Sequence, residues 1–183
     1  ETGTGTEAPL IASCGLEQRD YATLSSAVEP LGVDVKICAV SPNFTSSTIV
    51  AMPEVLPDRI EMRHFEFAEL RELYQRAAVT VVPLLANHYS AGMTTMMEAI
   101  ACGSPVIITA NPGLAADFAQ RDLVIGVEPG DHRAMRRAIE EVLEDPERAR
   151  SRAKRARAYV LAHHSSTTYI EQLCGSLASF HRG

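Results

Sequence analysis

No apolar run in this chain approaches the roughly 18 residues needed to cross a bilayer, and no secretory signal stands out, so a cytoplasmic protein is expected. Positive charge is not in excess: 17 Lys and Arg stand against 23 Asp and Glu, a formal net charge of −6. Phosphate backbones attract basic surfaces, so this balance argues against general nucleic-acid binding. Cysteine is sparse. Cys14, Cys38, Cys102 and Cys174 stand singly, without CxxC or Cys/His ligand spacing. The pattern predicts buried free thiols in a reducing compartment rather than disulfides or a zinc site. His163-His164 lacks further ligands, so no metal is expected there. No internal repeat or dividing linker is visible. An initiator Met is also missing, and residues 1–7 are set aside as a flexible lead-in or cloning remnant. Asn43-Phe44-Thr45 has the form of a glycosylation sequon, which means nothing in a cytoplasmic chain.

What remains is a chain of 183 residues, 46% hydrophobic, of a size that suits one domain over 8–183. Apolar runs at 10–13, 33–40, 60–63, 79–83, 105–109 and 123–127 read as strands. Between them, Leu24, Ala27, Val28 and Leu31, then Leu70, Leu73, Tyr74 and Ala77, and later Met135, Ala138, Ile139, Val142 and Leu143 fall at helical spacing. Gly32 is placed to stop the first helix. Residues 41–58 show no firm period and are expected to be mostly loop, with room for one short helix. The segments 146–162 and 165–180 read as two further helices. Strands alternating with helices predict an α/β fold, a Rossmann-like doubly wound parallel sheet of about six strands with extra C-terminal helices.

The stretch 87–109, NHYSAGMTTMMEAIACGSPVIIT, organises the reading. It leaves one strand, turns through Ser90, Ala91 and Gly92, enters a helix and ends in the next strand. Such a loop opens at the carboxyl end of a parallel strand, where ligands bind in this architecture. Gly92 is expected to let backbone approach a ligand, and the N–H groups of Met93, Thr94 and Thr95 sit at the positive end of the helix dipole, a ready anion site. Thr94 and Glu98, four apart, share a face, while Met93, Met97, Ile100 and Ala101 form the expected apolar stripe. Glu98 is thereby placed to accept hydrogen bonds from a sugar diol. An ordinary capped helix with a solvated Glu accounts for the same residues.

The run from Glu98 to Thr109, EAIACGSPVIIT, resembles the "EAMACGxPVIAT" segment of retaining, GT-B-type, nucleotide-sugar-dependent glycosyltransferases, glycosyltransferase family four. The resemblance implies that Glu98 holds the donor ribose as the second carboxylate of a Glu-x7-Glu pair. The first falls at Ser90, and Ser90-Ala91-Gly92-Met93 replaces the usual Glu-Gly-Phe-Gly turn. Gly15…Arg19-Asp20-Tyr21-x-x-Leu24 resembles the "GR…KG…L" segment, whose cations neutralise the donor diphosphate: Arg19 falls at the Lys, and Leu16 stands where the Arg is expected. The likeness runs from about residue 8 to 181 and covers only the donor-binding C-terminal half of a GT-B enzyme.

Other residues complete the expected site. Arg63 and Phe65 lie where relatives cradle the nucleobase, with stacking on the Phe ring as one reading and a core Phe as the other. His88 precedes the donor loop and is read either as approaching the sugar or as solvated. Arg148, Arg150, Arg152, Lys154, Arg155 and Arg157 leave open a peripheral contact at the inner membrane face, against the plainer reading of a solvated helix. The resemblance thus implies a hexosyl or glycosyl transferase, incomplete as this chain alone, with Arg19 and Glu98 as catalytic residues. The donor-binding set is Gly15, Arg63, Phe65, His88, Ser90, Ala91, Gly92, Met93, Thr94, Thr95 and Glu98. The expected partners are a nucleoside diphosphate sugar and a missing N-terminal Rossmann half, with no nucleic acid, no cofactor beyond the donor itself and no metal. A non-catalytic nucleotide-sensing or partner-binding domain of the same fold is the alternative; a sugar-nucleotide epimerase half is weaker, since it would match in fold and not in motif.

Overall fold

A computed structural model describes residues 8–39 and 50–180. The lead-in 1–7, the sequon and Val40 lie outside the described residues. The main sheet is built from β1 (Leu10–Cys14), β3 (Asp34–Cys38), β5 (Ile60–Arg63), β6 (Val79–Val82), β7 (Val106–Thr109) and β8 (Ile125–Val127), all parallel, in the order β5-β3-β1-β6-β7-β8. In the order in which the chain makes them these strands run 3-2-1-4-5-6, the doubly wound order, with its switch point between β1 and β6. The central strands are mostly apolar because helices cover both faces; all four residues of β6 and of β7 are buried, with the hydroxyls of Thr80 and Thr109 hydrogen-bonded.

One face carries Ile11, Val35, Ile37, Val79, Val81 and Ile107 against α1 (Tyr21–Val28) and α5 (His132–Glu144). The other carries Ala12, Val82, Val106 and Ile108 against α2 (Phe67–Arg76), α3 (Met93–Cys102), α4 (Leu114–Gln120) and α6 (Pro146–His163). Each such aliphatic side chain contributes roughly 1.5–3 kcal/mol by leaving water, which is why the sheet and not helix propensity fixes the arrangement. The helices begin where short acids wait. Asp20, Asp131 and Asp145 accept the N–H of Thr23, Ala134 and Arg148, capping α1, α5 and α6.

Of the stretch 41–58, residues 41–49 lie outside the described residues; a two-residue strand β4 (Val50–Ala51) pairs in parallel with β2 (Arg19–Asp20), and 52–58 is loop as expected. One expectation changes. On α3 the buried face is Thr95, Met96, Ala99 and Ile100, while Ala101 is exposed and Met93 and Met97 are half-buried. The stripe is rotated because Thr95, though polar, is drawn inward by a partner described below. The C-terminal helix α7 (Ser166–Phe180) follows α6 and leaves Tyr169, Ile170, Leu173 and Leu177 exposed. No helix among the described residues is long and apolar enough to cross a membrane.

Candidate functional site

The chain leaves β1 at Cys14 and β6 at Val82, side by side at the switch point. Gly15, with φ +103°, turns the first loop back. Gln18, at φ +57°, and Arg19 then cross the end of β6: Asp20 N–H donates to Pro83 O (3.1 Å) and Leu85 N–H to Gln18 O (2.9 Å). The second loop is held from its other side. Leu84 N–H donates to the Thr109 hydroxyl (2.9 Å), and Asn111, buried just past β7, accepts from Asn87 N–H (3.3 Å) and donates to Leu85 O (3.0 Å). Tyr89 closes the rim by donating its hydroxyl to Glu17 Oε1 (3.3 Å).

Arg19 lies beneath these loops, only 4% exposed. Its Nε donates to Cys14 O (2.8 Å), Nη1 to Glu17 O (2.9 Å) and Nη2 to Thr95 Oγ1 (3.0 Å), and that hydroxyl passes its own proton to Cys14 O (3.3 Å). This bond is what turns Thr95 inward. Every one of these acceptors is neutral, and among the described residues no carboxylate forms an ion pair with Arg19. The contrast is Arg152, equally buried at 6% but paired with Asp122 (2.8 Å) and Glu141 (3.2 Å). Burial pulls the Arg19 pKa below the ordinary guanidinium value, yet a guanidinium stays charged in a protein. An uncompensated buried cation costs several kcal/mol, and here it sits against the positive end of α3. The arrangement is short of a negative charge.

The start of α3 matches that need in part as expected. Gly92 caps the helix at φ +76° with no side-chain cap, leaving the N–H groups of Met93, Thr94 and Thr95 directed outward. The role of Gly92 is wider than expected, however. A Cβ there would stand 2.8 Å from Val82 Cγ1 and 3.1 Å from Leu84 Cδ2, so the glycine also serves close packing of the loop on β6. Glu98, half-buried one turn on, accepts from the Tyr74 hydroxyl at 3.4 Å, while Thr94 is exposed on the same side of the helix. His88 and Ser90 are exposed in the loop, and Ala91 is half-buried.

Arg63 and Phe65 lie apart from this cluster, at the end of β5, two strand spacings or about 10 Å from β1. Phe65 is 5% exposed and the Arg63 guanidinium lies over its ring, 3.7 Å from the centroid. With the ring buried and Arg63 over one face, the core reading of Phe65 is favoured over stacking. Arg63 itself is paired with Glu61 and Glu69. The basic helix α6 is also largely committed: Arg148, Arg152 and Arg155 form ion pairs, and Arg157 Nε donates to Ala101 O at the end of α3. His163 and His164 pack against the rings of Tyr159 and Phe118. Among the described residues no group of three or more His, Cys, Asp or Glu is arranged to hold a metal.

Tyr74, Tyr89, Asn111 and Thr109 were not singled out from sequence. Asn111 carried a usable signal, a polar residue directly after a buried strand next to the site; Tyr74 read only as part of a helical stripe. A cleft of about 760 Å³, lined by Leu10, Asp34, Lys36, Ser104 and Arg150 among others, opens at the amino ends of the strands. That is the end opposite the switch point, and no site residue reaches it.

A family profile described as glycosyl transferase-like matches residues 34–175. Glycogen synthase of Mycobacterium tuberculosis is 31% identical over 94 residues, 51% of this chain and 22% of that protein. Among solved structures, sucrose-phosphate synthase from Thermosynechococcus elongatus superposes with a TM-score of 0.72 at 23% identity, over 94% of this chain and 46% of that one. A glycosyltransferase from Rickettsia africae gives 0.74 at 17% identity, over 93% and 47%. The chain thus spans just under half the length of these structural neighbours, and at such identities they speak for the fold alone.

Proposed function

Since the chain belongs to the glycosyl transferase-like family, we propose that it is the donor-binding domain of an enzyme moving a sugar from a nucleoside diphosphate sugar to an acceptor. The observation that carries this reading is the buried Arg19 beneath the start of α3, which among the described residues forms no ion pair with a carboxylate. A diphosphate placed on the Met93, Thr94 and Thr95 N–H groups meets hydrogen-bond donors, a helix dipole and a guanidinium charge held in advance. Charge developing on the departing nucleoside diphosphate is stabilised by the same groups without further rearrangement. The donor is the substrate, and the reading invokes no resident cofactor or metal. Glu98, one turn along, takes the ribose hydroxyls.

The acceptor pocket belongs, in this reading, to a second Rossmann-like half. The chain's share of its structural neighbours and the exposed apolar residues of α7 both favour that arrangement. We place the protein in the cytoplasm. Peripheral membrane contact gains little, because four of the six cations on α6 already have partners within the domain. Ser90, exposed where the family's first carboxylate is expected, favours a second reading, a nucleotide-binding domain without transfer. A full-length protein that binds a nucleotide sugar yet never releases the nucleoside diphosphate from it would select that second reading.

Glu98→Gln tests the ribose assignment. The substitution keeps shape and removes charge, so nucleoside diphosphate affinity should fall by about 1–2 kcal/mol, the worth of charge-assisted hydrogen bonds. Equal affinity for variant and parent by calorimetry would remove Glu98 from the site.

A further inference from the structure

The four cysteines are free, and none is buried: Cys14, Cys38 and Cys102 are half-buried and Cys174 is exposed, contrary to the expectation of buried thiols. Two of them are also not solitary. Cys14 and Cys38 are direct partners in the parallel register of β1 and β3, on the face packed by α2 and α3. Adjacent strands lie about 4.8 Å apart, within the Cα separation a disulfide accepts. The two thiols are close enough to shift one another's ionisation, and the Phe65 backbone N–H acts on Cys38 as well.

The environment distinguishes the two sulfurs. Interaction with Cys14 is the largest influence pulling Cys38 down; the Phe65 N–H and the nearby His64 and Arg63 act in the same direction. Cys14 is pushed up, first by its interaction with Cys38 and then by burial. Cys38 is the better suited of the two to attack and Cys14 to resolve. Cys14 is also wired into the site. Its carbonyl accepts from Arg19 Nε and Thr95 Oγ1, and its thiol interacts electrostatically with Tyr74, whose hydroxyl donates to Glu98.

We infer that Cys14 and Cys38 form a reversible oxidation site, in which a peroxide converts the dithiol to a cross-strand disulfide and thereby weakens the diphosphate site. The second half of this statement rests on the donor-binding reading. In the first step the Cys38 thiolate attacks one peroxide oxygen: the O–O bond breaks, hydroxide leaves, and sulfur, oxidised by two electrons, becomes a sulfenic acid. Cys14 sulfur then attacks Cys38 sulfur. The S–S bond forms, the S–O bond breaks, and the departing hydroxide takes the Cys14 proton as water. Drawing Cys14 Sγ to Cys38 removes it from Tyr74 and shifts the carbonyl on which Arg19 and Thr95 are hung.

The experiment uses the 183-residue chain with Cys174→Ser, to suppress cross-linking between molecules, titrated with hydrogen peroxide. Peptide mapping should find the Cys14–Cys38 disulfide, reversed by dithiothreitol. Affinity for whichever of UDP, ADP or GDP the reduced chain binds should fall on the order of tenfold on oxidation and recover on reduction. Adding Cys38→Ser should abolish both effects. Sulfinic acid at Cys38 without a cross-link, or an affinity unchanged by the disulfide, would overturn the inference. A reduced chain that binds none of these nucleotides counts against the donor-binding reading instead, and the peptide map still decides the dithiol.

Discussion

Gly15→Ala is expected to destabilise the domain by about 3–5 kcal/mol. A residue at φ +103° is outside the region that side chains tolerate, a strain of roughly 1–3 kcal/mol. The larger effect is displacement, since the new Cβ would overlap Arg19 Nη2. The guanidinium must leave its place, and its hydrogen bonds to Cys14 O, Glu17 O and Thr95 Oγ1 go with it. Gly32→Ala is the internal standard, because Gly32 also has positive φ (+63°) but nothing lies within 4 Å of its added Cβ; that change should cost only about 1–2 kcal/mol. Urea denaturation compares them, through midpoints at unchanged slope. Equal costs would mean that Arg19 does not fill the space under the Gly15 turn.

Arg19→Met separates the charge from the volume. It keeps most of the buried stem and removes the guanidinium, so nucleoside diphosphate affinity should fall ten- to a hundredfold, about 1.4–2.8 kcal/mol, while a nucleoside without phosphate is unaffected. Stability moves less predictably, since loss of three hydrogen bonds is set against removal of an unpaired buried charge. The ratio of the two affinities is therefore the readout. If both ligands weaken together, Arg19 supports the loops and contributes no field at the anion site. Arg19→Lys should fall between, retaining charge and losing the fork that reaches three acceptors.

The main sheet was legible because strands covered on both faces are apolar at most positions, which leaves runs such as VTVV and VIIT. The β2 and β4 pairing was not, since two residues carry no period and their partner is about thirty residues away. The same limit governs the site. Motif and helix logic located Gly15, Arg19, Gly92 and Glu98, but the depth of Arg19 depends on Thr95, 76 positions on, and nothing local announces that bond. Its consequence was a partly misread helix face: Thr95 joins the buried side, Met93 and Met97 pack half-buried against the core, and Ala101 is exposed. Phe65 looked available because its cover, Arg63, reaches it by folding back over the ring. Cys14 and Cys38 looked solitary because only strand register makes them neighbours.

The most direct test of the account is calorimetric titration of the reduced chain with UDP, ADP and GDP, each beside its nucleoside. With the site open on the side of the proposed second half, the preferred diphosphate should bind with Kd on the order of 0.1–1 mM, roughly 4–5.5 kcal/mol. Its nucleoside should bind at least about tenfold more weakly, and the gap should narrow as salt screens the Arg19 and α3 charges. A nucleoside that binds as well as its diphosphate, or a chain that binds no diphosphate at all, would contradict the central claim that Arg19 and the start of α3 form an anion site.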